Sequence, residues 1–206
     1  MTKPTITLHE GDLPAHVRFG ASVAVDTETL GLNPHRDRLC LVQLSAGDGT
    51  AHLVQITGDR PAAPNLRAVL ADPSVLKIFH FARFDMAVLQ HRLGVSVMPV
   101  YCTKIVSKLV RTYTDRHGLK DLAAELLGLE LSKHQQSSDW GAANLTDAQL
   151  SYAAADVLHL HALKERLDQM LDRERRRDLA EAAFAFLPTQ ARLDLEGFGD
   201  IDIFAH

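Results

Sequence analysis

The sequence predicts a single α/β or α+β domain, and three observations carry that prediction. Runs of β-branched and apolar residues, divided by turn-formers, fill the first half of the chain. Apolar residues at helical spacing dominate the second half. Neither an internal repeat nor a low-complexity linker separates the two, and 206 residues with 46% hydrophobic content can bury one substantial core.

The strands come first. Residues 22–26, 39–45 and 51–56 are strand-like, with Gly31, Asn33 and Pro34, then Gly47, Asp48 and Gly49, marking turns between them. Asp48–Gly49 is a hairpin signal, so the second and third runs are expected to pair antiparallel. A short helix over 64–71 follows, then a strand over 75–79 and a helix over 83–92. Residues 118–128 have helical spacing and close on Gly128, suited to a C-cap. Thr146 then opens a long helical pattern as its N-cap. A last helix over 172–187 is expected to stop before Pro188. The tail 188–206 is too apolar for a disordered end and packs either on its own domain, 1–187, or on a neighbouring subunit.

Composition removes several function classes. The formal net charge of −4 argues against holding long nucleic acid on a broad basic surface. The one dense basic run, Arg173 to Arg177, reads as a solvated helix face. Cys40 and Cys102 each sit in an apolar stretch and read as reduced core residues. With no secretion signal or apolar span in the sequence, the expectation is a cytoplasmic chain with no membrane partner. His159 and His161, two apart on a helix, do not share a face, and no HExxH, P-loop or GxSxG pattern occurs.

One strand ends oddly. Val23–Ala24–Val25 runs into Asp26–Thr27–Glu28, and two carboxylates two residues apart leave one face of a strand. Of the three D-x-E triplets in the chain, only this one terminates an apolar strand. Asp26 could cap a turn with Glu28 solvated, but further acids occur at comparable places. Asp85 begins a helix after another apolar strand, where the helix dipole alone would favour an acid. Tyr152 and Asp156, four apart with three alanines between, share one helix face. Buried carboxylates are costly unless paired or metal-bound. Four of them, from one strand, a strand–helix junction and a late helix, suit hard cations, Mg²⁺ or Mn²⁺, and a pair of such ions stabilises both oxygens of an in-line phosphoryl displacement.

DTE at 26–28, FD at 84–85 and Y-x-x-x-D at 152–156, in that order, resemble the three motifs of the DEDD exonuclease superfamily, Tyr subtype. QSSDW at 136–140 is similar to the stretch before the third motif in ribonuclease D. The resemblance spans roughly residues 5–187 and leaves no room for the helical RNA-binding domains of full-length ribonuclease D. HRDRLCLVQLS, CTKIVSKLVRTYTDRHGLK and the terminal DIDIFAH resemble the short nano-RNase members of that family.

The resemblance implies an α/β, RNase H-like mixed sheet, with antiparallel first strands plus parallel strands, flanked by helices. It also implies 3′→5′ hydrolysis of RNA to 5′-mononucleotides with two divalent cations held by Asp26, Glu28, Asp85 and Asp156. Tyr152 would orient the attacking water, since a phenol with a pKa near 10 is a poor proton acceptor. Short RNA, dinucleotides above all, is the implied substrate, and a ring-shaped homo-octamer the implied assembly.

Other residues are candidates for holding substrate. Thr27 lies within the first motif, and Leu30 just after it would wedge between two bases or serve as a core leucine. His80 and Arg83 flank the second motif and could meet a phosphate or sugar. Arg116, His117 and Lys120, with Lys133 and Gln136, form a basic and polar cluster suited to a terminal phosphate. Trp140 would stack on a base or anchor packing. Two alternatives remain at this level: a general 3′→5′ exonuclease on longer RNA or DNA, and a non-catalytic nucleic-acid-binding scaffold.

Overall fold

The computed structural model describes residues 4–58, 61–132 and 134–205. Six strands form one sheet: β1 Thr5–Glu10, β2 Ser22–Thr29, β3 Leu39–Ser45, β4 Thr50–Gln55, β5 Leu76–Phe79 and β6 Val100–Cys102, in the spatial order β1-β4-β3-β2-β5-β6. The turn over 46–49 makes β3 and β4 antiparallel, as Asp48–Gly49 predicts, and β2 pairs antiparallel with β3. β1 runs parallel to β4, β5 to β2 and β6 to β5. The result is the mixed sheet expected, helices on both faces.

Alternation along the strands divides the core. Val23, Val25, Val42 and Leu44 face helices α1 (Pro64–Ala71), α2 (Ala82–Leu93) and α7 (Arg177–Leu195). Ala24, Leu41, Leu53 and Ile78 face α3 (Thr103–Val110), α5 (Asp147–Leu158) and α6 (Leu160–Glu174). Between α3 and α5 lies α4 (Leu119–Leu122), continued by a π-helical turn, Ala123–Leu127, that ends on Gly128 at φ 68°. Cys40 and Cys102 are free and buried. No helix among the described residues is long and apolar enough to cross a membrane.

Several local expectations are corrected. α7 starts at Arg177 and runs through Pro188 to Leu195, rather than stopping before the proline. Proline in a helix interior costs about 3 kcal/mol or more, yet Leu187 and Ala191 on either side of it are buried against α2. Burial on both sides offsets that cost. The first eight of the nineteen tail residues, 188–195, are therefore helix. The long pattern after Thr146 divides at His159 (φ −107°, ψ −3°) into α5 and α6. β2 continues three residues past its expected end at Asp26 to Thr29, and β1, β6 and α3 were not anticipated.

Candidate active site

The pleat that sends Val23 and Val25 to one side sends Ala24, Asp26 and Glu28 to the other, toward α5. α5 is fixed at its start by a capping box between Thr146 and Gln149. Its buried Ala153 and Ala154 let the helix lie close on the sheet, which carries Asp156 down to the strand acids. One carboxylate oxygen each from Asp26, Glu28 and Asp156 lie within 4.8 Å of one another. Asp85, in the first turn of α2 and only 4% exposed, stands beside them and accepts a 2.6 Å hydrogen bond from Thr27 Oγ1.

All four carboxyl groups have raised pKa values. Burial is the first cause in every case. The neighbouring carboxylates add to it, Asp26 acting on Glu28, Asp85 and Asp156. Among the described residues no lysine or arginine forms an ion pair with any of the four. A proton or a bound cation suits a cluster with no ion-paired basic side chain. Converging hard oxygens of this kind fit Mg²⁺ or Mn²⁺.

The acids open into a cleft of about 310 Å³, also lined by Thr27, His80, Phe81, Lys104, Lys120, Gln136 and Tyr152. Lys104 Nζ sits 4.0 Å over the ring of Phe81, which is half-exposed and held at φ 72° as it starts α2. Tyr152 lies one helical turn before Asp156. Burial and then the adjacent carboxylates push its phenol further above its ordinary pKa, so it is a proton donor at neutral pH.

The sequence candidates are distributed as follows. Asp26, Thr27, Glu28, His80, Lys120, Gln136, Tyr152 and Asp156 line the cleft, with Asp85 buried behind it. Leu30 is 52% exposed, and its Cδ2 lies against the Cα side of Gly141, where an added Cβ would come within 2.9 Å. Arg83 turns away: its guanidinium makes two 2.6 Å bonds to Asp194 and one to the Gly199 carbonyl. Exposed Arg116 pairs with Asp121, and His117 Nδ1 is 2.8 Å from Ser107 Oγ. Lys133 lies outside the described residues. Trp140 is buried and packs on Tyr152 at 6.0 Å between ring centroids, an anchor rather than a stacking platform.

Two residues of the site escaped the sequence reading. Gln43, fully buried on β3, stands opposite Asp26 in the ladder and donates from Nε2 to Asp26 Oδ2 at 3.2 Å. An amide in the middle of the apolar run LCLVQLS was the available signal. Lys104 had none, because only the fold brings α3 beside the start of α2.

A mixed sheet carrying an ordered Asp26, Glu28, Asp85 and Asp156 at one cleft defines a DEDD-type nuclease. Residues 12–172 match the 3′-5′ exonuclease family, and the chain belongs to it. It is 58% identical in sequence to Brucella melitensis NrnC in a structure bound to pGG, over 99% of this chain and 100% of that one, with a TM-score of 0.95. The same Brucella protein has also been solved with bound Mg²⁺. Ribonuclease D of Gluconacetobacter diazotrophicus is 34% identical over 169 residues, 82% of this chain and 42% of that protein. Escherichia coli RNase D matches at 26% identity and a TM-score of 0.73, over 84% of this chain and 45% of that one. The chain thus spans less than half the length of the ribonuclease D relatives it matches.

Proposed function

We propose that this chain is a divalent-metal-dependent 3′→5′ exoribonuclease that hydrolyses short RNA, dinucleotides foremost, to 5′-mononucleotides at the end of RNA decay. One observation carries the reading: Asp26, Glu28 and Asp156 converge within 4.8 Å in a cleft, and among the described residues no lysine or arginine forms an ion pair with them. The likeness to a protein solved with pGG supports the substrate, and its Mg²⁺-bound form supports the cation.

In this proposal Asp26, Glu28, Asp85 and Asp156 would hold two cations, Mg²⁺ or Mn²⁺. When bound, those cations activate water and neutralise the leaving oxygen. Gln43 holds one Asp26 oxygen from the neighbouring strand. Tyr152, protonated, orients the attacking water through its hydroxyl. Lys104 and Lys120 supply positive charge for substrate phosphate, with Gln136 as a polar partner. Leu30 and Phe81, both exposed, offer apolar surface to bases.

We also propose a homo-oligomer, by resemblance a ring-shaped octamer, in the cytoplasm. Phe198, Ile201, Ile203 and Phe204 are exposed along the final segment, which supports a tail that packs on a neighbouring subunit.

Mass analysis of the products tests the reaction class. RNA carrying a 3′-hydroxyl, incubated with Mg²⁺, is expected to release 5′-mononucleotides from its 3′ end and to stop on addition of EDTA. Products bearing 3′-phosphate, or turnover that persists in EDTA, would overturn it.

A further inference from the structure

His80 follows β5 directly. Ala24 of β2 and Ile78 of β5 are partners in the parallel ladder, and both face α5 and α6. Two residues further along each chain come Asp26 and His80, so alternation brings the imidazole to the sheet face that carries the acids. The ring lines the cleft.

The proton on this ring can be located. His80 Nδ1 is 2.9 Å from Thr103 Oγ1, and the fully buried Thr103 hydroxyl donates to the Phe79 carbonyl at 3.1 Å. A hydroxyl has one proton to give. With that proton on Phe79, Thr103 Oγ1 can only accept from His80, so the imidazole hydrogen resides on Nδ1. Burial, aided by Lys104, pushes the His80 pKa down to about 3, which keeps the ring neutral. Nε2 is then a bare lone pair. Among the described residues no protein group bonds to it, and it is not one of the buried unpaired atoms, so it opens to the cleft.

A bare nitrogen acceptor repels phosphate oxygens and calls for a donor. His80 also lies outside the cluster of carboxylate ligands. Lys104 and Lys120, in the same cleft, already suit phosphate. A short RNA offers two kinds of donor, base N–H groups and ribose hydroxyls, and the hydroxyls are the ones that lie next to the phosphate which the acids and lysines of this cleft suit. We infer that His80 Nε2 accepts a hydrogen bond from a ribose hydroxyl of the substrate, with Thr103 fixing the tautomer that makes this possible. His80 is then a specificity-determining residue, one that favours substrates bearing that hydroxyl. The inference rests on the reading of the cleft as a short-RNA site.

The test pairs variants of the full chain with substrate analogues. His80→Asn keeps an amide donor near the Nδ1 position and deletes the acceptor; His80→Gln keeps an oxygen acceptor near Nε2 and loses the Thr103 contact. Each is assayed for kcat/KM with Mg²⁺ on a diribonucleotide, on analogues lacking the 2′-hydroxyl of either sugar, and on one lacking the 3′-hydroxyl. His80→Asn is expected to fall about 10-fold on the diribonucleotide, and His80→Gln to fall less. The ratio of wild type to His80→Asn should collapse toward one on the analogue that lacks the contacted hydroxyl, which names it. A ratio that stays constant across all analogues, with wild-type turnover intact, would overturn the inference and leave the functional reading standing. If wild type left the diribonucleotide uncut, both would fall.

Discussion

Gln43 and Asp26 face each other across β2 and β3, and the buried amide of one donates to the carboxylate of the other at 3.2 Å. The opposite end of that amide, Oε1, is buried and has no partner among the described residues. Burying an unsatisfied carbonyl costs about 1–3 kcal/mol, so the arrangement favours the orientation of Asp26 over stability. An uncharged donor holds the carboxylate without cancelling the charge a cation needs.

Gln43→Leu removes the orphan oxygen together with the contact. Its metal-free melting temperature should equal or exceed that of the parent, while Mg²⁺ affinity weakens about 10-fold, as for other residues that orient metal ligands. Differential scanning fluorimetry with and without Mg²⁺ reads both. A large loss of metal-free stability would show that Gln43 serves packing instead.

The acidic cluster also sets a pH dependence. Folding raises the pKa of all four carboxyl groups, so between their unfolded values near pH 4 and their folded ones the native state holds protons that the unfolded chain has released. That contribution to stability is complete below the unfolded range. It is lost as pH rises through the folded values, about 7 for Asp26. Metal-free stability of the parent, measured relative to Asp26→Asn, should therefore decline from pH 5 to pH 8, and Mg²⁺ should restore more of it at the higher pH. Calorimetry in buffers of different ionisation enthalpy should detect proton release on Mg²⁺ binding; a titration without proton release would contradict the cluster's protonated state.

Tyr152→Phe tests the phenol apart from the metal ligands. Turnover should drop about 10²-fold, with Mg²⁺ affinity and KM little changed. Loss of the Mg²⁺-induced rise in melting temperature would show that Tyr152 supports the ligands and not the water.

Gly141→Ala acts at a distance from the chemistry. An added Cβ would lie 2.9 Å from Leu30 Cδ2 and 3.0 Å from Arg38 Nη2, both ends of flexible side chains. Leu30 should shift, raising KM for a dinucleotide several-fold, about 1 kcal/mol of binding, while kcat and melting temperature hold. An unchanged KM would remove Leu30 from the substrate surface.

Those outcomes bear on what the sequence could disclose. Asp26 and Glu28, two apart on a strand, and Tyr152 and Asp156, four apart on a helix, were legible because their spacing alone fixes a shared face. The antiparallel pairing of β3 with β4 was legible because Asp48–Gly49 is local chemistry. Pro188 misled, since the tolerance of a helix for proline depends on the burial of Leu187 and Ala191 against another helix. Gln43 and Lys104 act through neighbours 17 and 23 residues away in the chain, Asp26 and Phe81, so no short pattern marks them. Arg83 looked like a substrate ligand beside its motif, but Asp194, 111 residues on, engages its guanidinium.

A preference for the shortest RNA is read by a timed digest. 5′-Labelled RNAs of two, three, four and seven nucleotides would be compared at equal concentration with Mg²⁺. The dinucleotide should disappear well ahead of the others. A seven-mer that shortens stepwise as fast as the dinucleotide is cut would contradict it and leave a general 3′→5′ exonuclease.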